Sequence, residues 1–148
     1  NPNFFHKSKR NIDTDILKKL IKKNGFIGLS LYPYHLKNLG DCTIEDFCKM
    51  IKDLVNLIGE DNIGIGSDLC LNWSDEVVMW MRNGKWTKDI DYGESKDKNP
   101  KWPKLPSWYK QPSDLNNLFN LMCKNNIPEK ISIKIIGQNW FNFMKNQF

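Results

Sequence analysis

Two short apolar runs, each preceded by a helix-forming stretch, constrain this chain more than any other feature. The residues Ile12-Asp13-Thr14-Asp15-Ile16-Leu17, followed by Leu20 and Ile21, read as an amphipathic helix of about ten residues, with Asp13 as its N-cap and Asn24-Gly25 as its stop. Phe26-Ile27-Gly28-Leu29-Ser30-Leu31-Tyr32 follows at once, closed by Pro33, and has the character of a buried strand. Thr43 can then cap a second helix, whose apolar positions Ile44, Phe47, Met50, Ile51, Leu54, Val55 and Ile58 recur at helical spacing up to Gly59. Ile63-Gly64-Ile65-Gly66-Ser67-Asp68 is a second short strand, its glycines permitting close approach of neighbouring backbone. Helix, strand, helix, strand is the order of an α/β chain with a parallel sheet and crossover helices.

The alternation stops at Asp68. Residues 69–112 carry Trp73, Trp80, Trp86, Trp102 and Trp108, then Pro100, Pro103, Pro106 and Pro112. A stretch of that length without periodicity is functional or disordered, and its aromatic content argues for a packed insertion, with a helical turn or two around Asp75–Met81. Residues 113–148 return to helices: one near Leu115–Cys123, one from Pro128 to a stop near Gly137, and one over Asn139–Asn146. At 148 residues the chain is one domain or one piece of a larger one.

Charge and cysteine usage narrow the partners. The formal net charge is +5, but the lysines are scattered, as in Lys18, Lys19, Lys22 and Lys23, which suits a solvated face and not a nucleic-acid stripe. No nucleic acid is expected as a partner. The chain has no Ala, many Asn and Lys, and two Arg, Arg10 and Arg82, so an Arg carries more information here than a Lys. Cys42, Cys48, Cys70 and Cys123 form no CxxC pair and have no His at zinc-finger spacing; reduced thiols and a cytoplasmic setting are the default. No apolar run approaches the ~20 residues that span a bilayer, so no membrane segment is expected. The chain opens on Asn1 with no signal pattern and reads as a fragment or a processed chain.

Among chemistry-bearing residues Asp68 is the most suggestive, because it follows a buried strand at its carboxyl end, where parallel α/β folds gather ligands and catalytic groups. A carboxylate that merely caps a turn is the plainer alternative. Tyr32, at the end of the preceding strand, points to the same neighbourhood or is a core aromatic with its hydroxyl at the rim. Arg10, just ahead of the first helix, could clamp a carboxylate in bidentate fashion or sit on the surface. His6 and His35 lie in no HxD or HExxH pattern, and the chain offers no convincing set of zinc ligands. Gly64-Ile65-Gly66 lacks the GK[ST] and the helix of a phosphate loop.

Taken together, Arg10-Asn11-Ile12 with Asp15 and Leu17, Gly28-Leu29-Ser30-Leu31-Tyr32-Pro33, Thr43-Ile44-Glu45-Asp46-Phe47, Ile63-Gly64-Ile65-Gly66-Ser67-Asp68 and Ile136-Gly137-Gln138-Asn139-Trp140 resemble the membrane dipeptidase family, the renal-dipeptidase-like zinc peptidases. The motifs occur in family order from one end of the chain to the other. The resemblance implies a (β/α)₈ barrel of the metal-dependent hydrolase type, with this chain as its carboxyl-terminal portion holding the last two strands. It implies two zinc ions in the complete enzyme, bound by an HxD pair, a bridging Glu and two further His on earlier strands, none of them in this chain. By the same resemblance Asp68 moves the proton to the leaving amine, Arg10 grips the free carboxylate of a dipeptide substrate, and Tyr32 lines the pocket. Many relatives continue the Asp with Phe-Asp-Gly where this chain has Leu69-Cys70-Leu71. That departure, with Trp80-Met81-Arg82-Asn83-Gly84-Lys85-Trp86 and Tyr92-Gly93-Glu94-Ser95, looks like a bacterial branch carrying a long insertion.

The implied partners are the dipeptide and the missing amino-terminal part of the barrel, and a homodimer is compatible with both. The alternative is an orphan fragment or pseudoenzyme with a binding or assembly role, since two barrel strands leave open edges. A single-strand nucleic-acid module, using the Trp residues as stacking platforms, ranks third.

Overall fold

The computed structural model describes residues 1–72, 74–78 and 102–146. Trp73, Trp80, Trp86, Pro100, the Trp80–Trp86 motif with Arg82 and the Tyr92–Ser95 motif lie outside the described residues. Of the helical turn expected over Asp75–Met81, residues 75–78 are helical and the rest lies outside.

The first helix, α1, covers Thr14–Ile21 and buries Leu17. Asp13 takes the extended N-cap conformation but makes no capping bond; its carboxylate accepts instead from the Asn3 amide, tying the amino-terminal segment to the helix start. Strand β1, Ile27–Leu29, and strand β2, Ile63–Ile65, pair in parallel with Ile27 opposite Ile63 and Leu29 opposite Ile65. Between them runs α2, Ile44–Ile58, whose capping Thr43 accepts from the Asp46 amide and whose inner face buries Phe47, Cys48, Met50, Ile51 and Leu54. This is the parallel crossover unit that the apolar pattern predicts. Both strands are shorter than their apolar runs, and the run of β2 ends where Ser67 (φ 22°) and Asp68 (φ 58°) leave the extended region. Two bonds carry the pairing a little further, Gly66 N–H to Leu29 O at 2.9 Å and Leu31 N–H to Ser67 O at 3.0 Å.

Helix α3, Leu115–Lys124, buries Leu118 and Met122. Beyond it, α4 (Glu129–Ile133), a π-helical turn (Lys134–Gln138) and α5 (Asn139–Lys145) follow without a break. The expected stop at Gly137 is therefore wrong: Gly137 sits inside the wide turn, and the flanking Ile133, Gln138 and Asn139 keep right-handed helical backbone. The reason is tertiary. The Asn139 amide donates to Glu60 O at 2.6 Å and Ile63 O at 2.8 Å, and the Trp140 indole donates to Ile65 O at 2.8 Å. These bonds satisfy carbonyls of β2 and its approach, and an extra residue in the turn fits a helix to such a docking.

The glycines of the strands make room for that docking. A Cβ on Gly64 would lie 2.6 Å from Trp140 Nε1, and one on Gly28 3.0 Å from its Cζ2. Trp140 also packs on Phe26, with ring centroids 4.3 Å apart. On the other side of the core, the Trp108 indole donates to Cys42 O at 2.8 Å and its ring meets Phe47, which anchors the carboxyl end of the 69–112 stretch to the start of α2.

Candidate functional site

The carboxyl end of the two-stranded sheet is where the chain's polar chemistry collects. β1 leads directly into Ser30, Leu31 and Tyr32, and a 3₁₀ turn over Pro33–His35 folds His35 back towards Ser30. β2 leads into Ser67 and Asp68, whose left-handed backbone is a conformation that non-glycine residues adopt at a cost. Ser30 joins the two strand ends. Its hydroxyl lies 2.8 Å from His35 Nδ1 and 3.4 Å from Asp68 Oδ2, and it accepts from the Tyr32 amide at 3.1 Å.

Asparagines from the amino-terminal segment brace this loop. The Asn1 side chain donates to Ser30 O at 2.9 Å and His35 O at 3.0 Å, and accepts from the Ser30 amide at 3.0 Å. Asn11 donates to His6 O at 2.7 Å and His35 O at 3.2 Å. His35 is buried, 7% exposed, and its Nε2 has no hydrogen-bond partner among the described residues. Burial, then the positive charges of Arg10 and the amino terminus, lower its pKa to about 4, with Asp68 pulling the other way. The imidazole is neutral at neutral pH. Its ring stands edge-on to Tyr32, with centroids 5.5 Å apart.

Of the three residues singled out from sequence, Tyr32 adjoins this imidazole, Asp68 reaches it through Ser30, and Arg10 acts on it through its charge. Asp68 is exposed at the sheet edge, Tyr32 is half-buried against the ring, and Arg10 is exposed. Sequence reasoning missed Ser30, Asn1 and Asn11, and it saw in His35 only a histidine lacking a metal motif. The legible signal was Pro33: a turn there brings a residue two positions on back over the strand end.

Beside the same edge, Ile65, Ser67, Leu69, Leu71, Tyr109, Pro112, Leu115 and Ile136 line an open hollow of about 320 Å³, mostly apolar. Among the described residues no group of three or more His, Cys, Asp or Glu could hold a metal ion, so these residues do not fit a zinc centre. No helix of the described residues is long and apolar enough to cross a membrane.

Fold and site together define an α/β chain with a strained carboxylate at the carboxyl end of parallel strands. Residues 1–75 match the model of the membrane dipeptidases, peptidase family M19, and the chain belongs to this family. An amidohydrolase from Pseudomonas aeruginosa superposes on 97% of the chain with a TM-score of 0.81 at 25% identity, over 42% of its own length. A second solved structure, the metallopeptidase dipeptidase AC of family M19, shares the fold over 98% of the chain with a TM-score of 0.68 at 17% identity, over 35% of its length. The chain therefore spans less than half of either protein. No curated protein sequence matches it.

Proposed function

We propose that this chain supplies the carboxyl-terminal portion of a (β/α)₈ barrel and that the complete enzyme is a zinc-dependent dipeptidase. The observation that carries the reading is Asp68, held at φ 58° at the carboxyl end of β2 and linked through Ser30 to His35, which Tyr32 flanks and the Arg10 charge influences. In the reaction, water adds to the peptide carbonyl carbon and the C–N bond breaks. The Asp68 carboxylate takes the proton from the water and delivers it to the leaving amine nitrogen. The Arg10 guanidinium holds the substrate's free carboxylate, which sets the distance from that end to the scissile bond and so favours short peptides. Tyr32 forms a wall of the pocket.

The two zinc ions come with the family resemblance. The described residues do not fit them; by the resemblance their ligands lie on the preceding barrel strands, and no step assigned to this chain runs through them. Nucleic acid has no part in this reading.

The test is zinc content and dipeptide hydrolysis, measured on the 148-residue chain and on a protein extended upstream through the earlier strands. Activity with about two zinc ions in the extended form alone is the expected result. An extended form that binds no zinc and cleaves nothing would overturn it. The reading then left is an orphan fragment with an assembly role, which the exposed Ile133, Phe141 and Met144 on the terminal helices favour.

A further inference from the structure

We infer that His35, Ser30 and Asp68 form a directed hydrogen-bond relay in which His35 Nδ1–H donates to Ser30 Oγ and the Ser30 hydroxyl donates to Asp68 Oδ2, making Ser30 and His35 positioning residues for the carboxylate. The direction follows from counting donors and acceptors. A serine hydroxyl has one hydrogen and two lone pairs. One lone pair takes the Tyr32 amide. If Ser30 gave its hydrogen to His35, an oxygen lone pair would face the Asp68 carboxylate at 3.4 Å with no hydrogen between them. If the hydrogen goes to Asp68, the second lone pair takes His35 Nδ1–H at 2.8 Å, and every site on the hydroxyl is used.

The environment of His35 agrees with that direction. Burial and the Arg10 charge keep the imidazole neutral, so one ring nitrogen carries the single hydrogen and the partner facing Nδ1 selects the tautomer. The backbone holds the first member in place, since Asn1 and Asn11 bind the His35 carbonyl and Asn1 clasps Ser30 on both sides. The Ser30 to Asp68 contact is long for O–H···O, as catalytic contacts often are before substrate tightens them. With Oδ2 engaged by Ser30, the relay directs the travelling proton to Oδ1. That last step rests on the dipeptidase reading; the relay does not.

The ring nitrogens of His35 give the test, and with two histidines in the chain the signals are assigned by a His6→Gln variant. Nitrogen-15 NMR of the chain at neutral pH should show His35 as the Nδ1–H tautomer. Ser30→Ala should move it towards the Nε2–H form that free imidazole prefers, and Ser30→Thr, which keeps the hydroxyl, should return it. An Nε2–H parent, a tautomer indifferent to Ser30→Ala, or equal disturbance by Ala and Thr would each overturn the relay. In the extended enzyme Ser30→Ala should lower kcat by about tenfold to a hundredfold with KM held, as a misplaced catalytic group does. An inactive extended enzyme with the tautomer result intact would remove the dipeptidase reading and leave the relay standing.

Discussion

At the scale of single residues, burial sets the chemistry of the titratable groups. The His35 pKa of about 4 lies below its ordinary 6.5, so the unfolded chain takes up the proton before the folded one does. The His35 contribution to stability should therefore be constant above pH 6.5 and fall as pH drops from there to about 4, with a slope approaching one proton. Urea midpoints across that window should show the drop in the parent and a shallower one in His35→Gln; parallel curves would refute the assignment. The thiols divide in the same way. Burial pushes Cys42 up to about 12 and Cys48 up to about 11, whereas Cys70 is exposed. Iodoacetamide at mildly alkaline pH should label Cys70 well before Cys42 or Cys48, and mass spectrometry of partly labelled chain reads the order. Asp68, Arg10 and Tyr32 were singled out from sequence because strand ends and family motifs mark them. Ser30 and His35 were not, because their meeting depends on the Pro33 turn and on bracing by Asn1 and Asn11, which no local pattern records.

At the scale of elements, the strand glycines and the π turn are one device. Trp140 lies across the parallel pair only because Gly28 and Gly64 carry no side chain, and it reaches Ile65 O only because the helix widens over Lys134–Gln138. Gly64→Ala would press its methyl against both Trp140 and Phe26 and should cost about 1–3 kcal/mol in urea denaturation. Gly28→Ala, with a looser contact at 3.0 Å, should cost less. Equal effects would mean that Trp140 is not the clash. The alternation of helices and strands was readable from periodicity alone, since the buried face of α2 and the apolar strand runs are local facts. The course through Gly137 was not. Glycine near a helix end favours a stop locally, and the Asn139 bonds to Glu60 O and Ile63 O override that preference.

At the scale of the molecule, the question is how a two-stranded sheet sustains the core around it. Among the described residues β1 and β2 pair only with each other, so each has an edge with no strand beside it. An edge of that kind invites a further strand. The alignment with 42% of the amidohydrolase and 35% of dipeptidase AC fits a chain whose edges continue into more sheet. The cooperativity of unfolding separates a piece of one barrel from a self-sufficient unit. In a protein extended through the earlier strands, a shared barrel should melt in urea as one transition, with a midpoint above that of the chain alone. Its m-value should rise in step with the added buried surface. If the chain is an independent unit, two transitions should appear, one of them at the midpoint of the chain alone. A closed barrel has no free edge along which to split, so the single transition is what the unpaired strands predict.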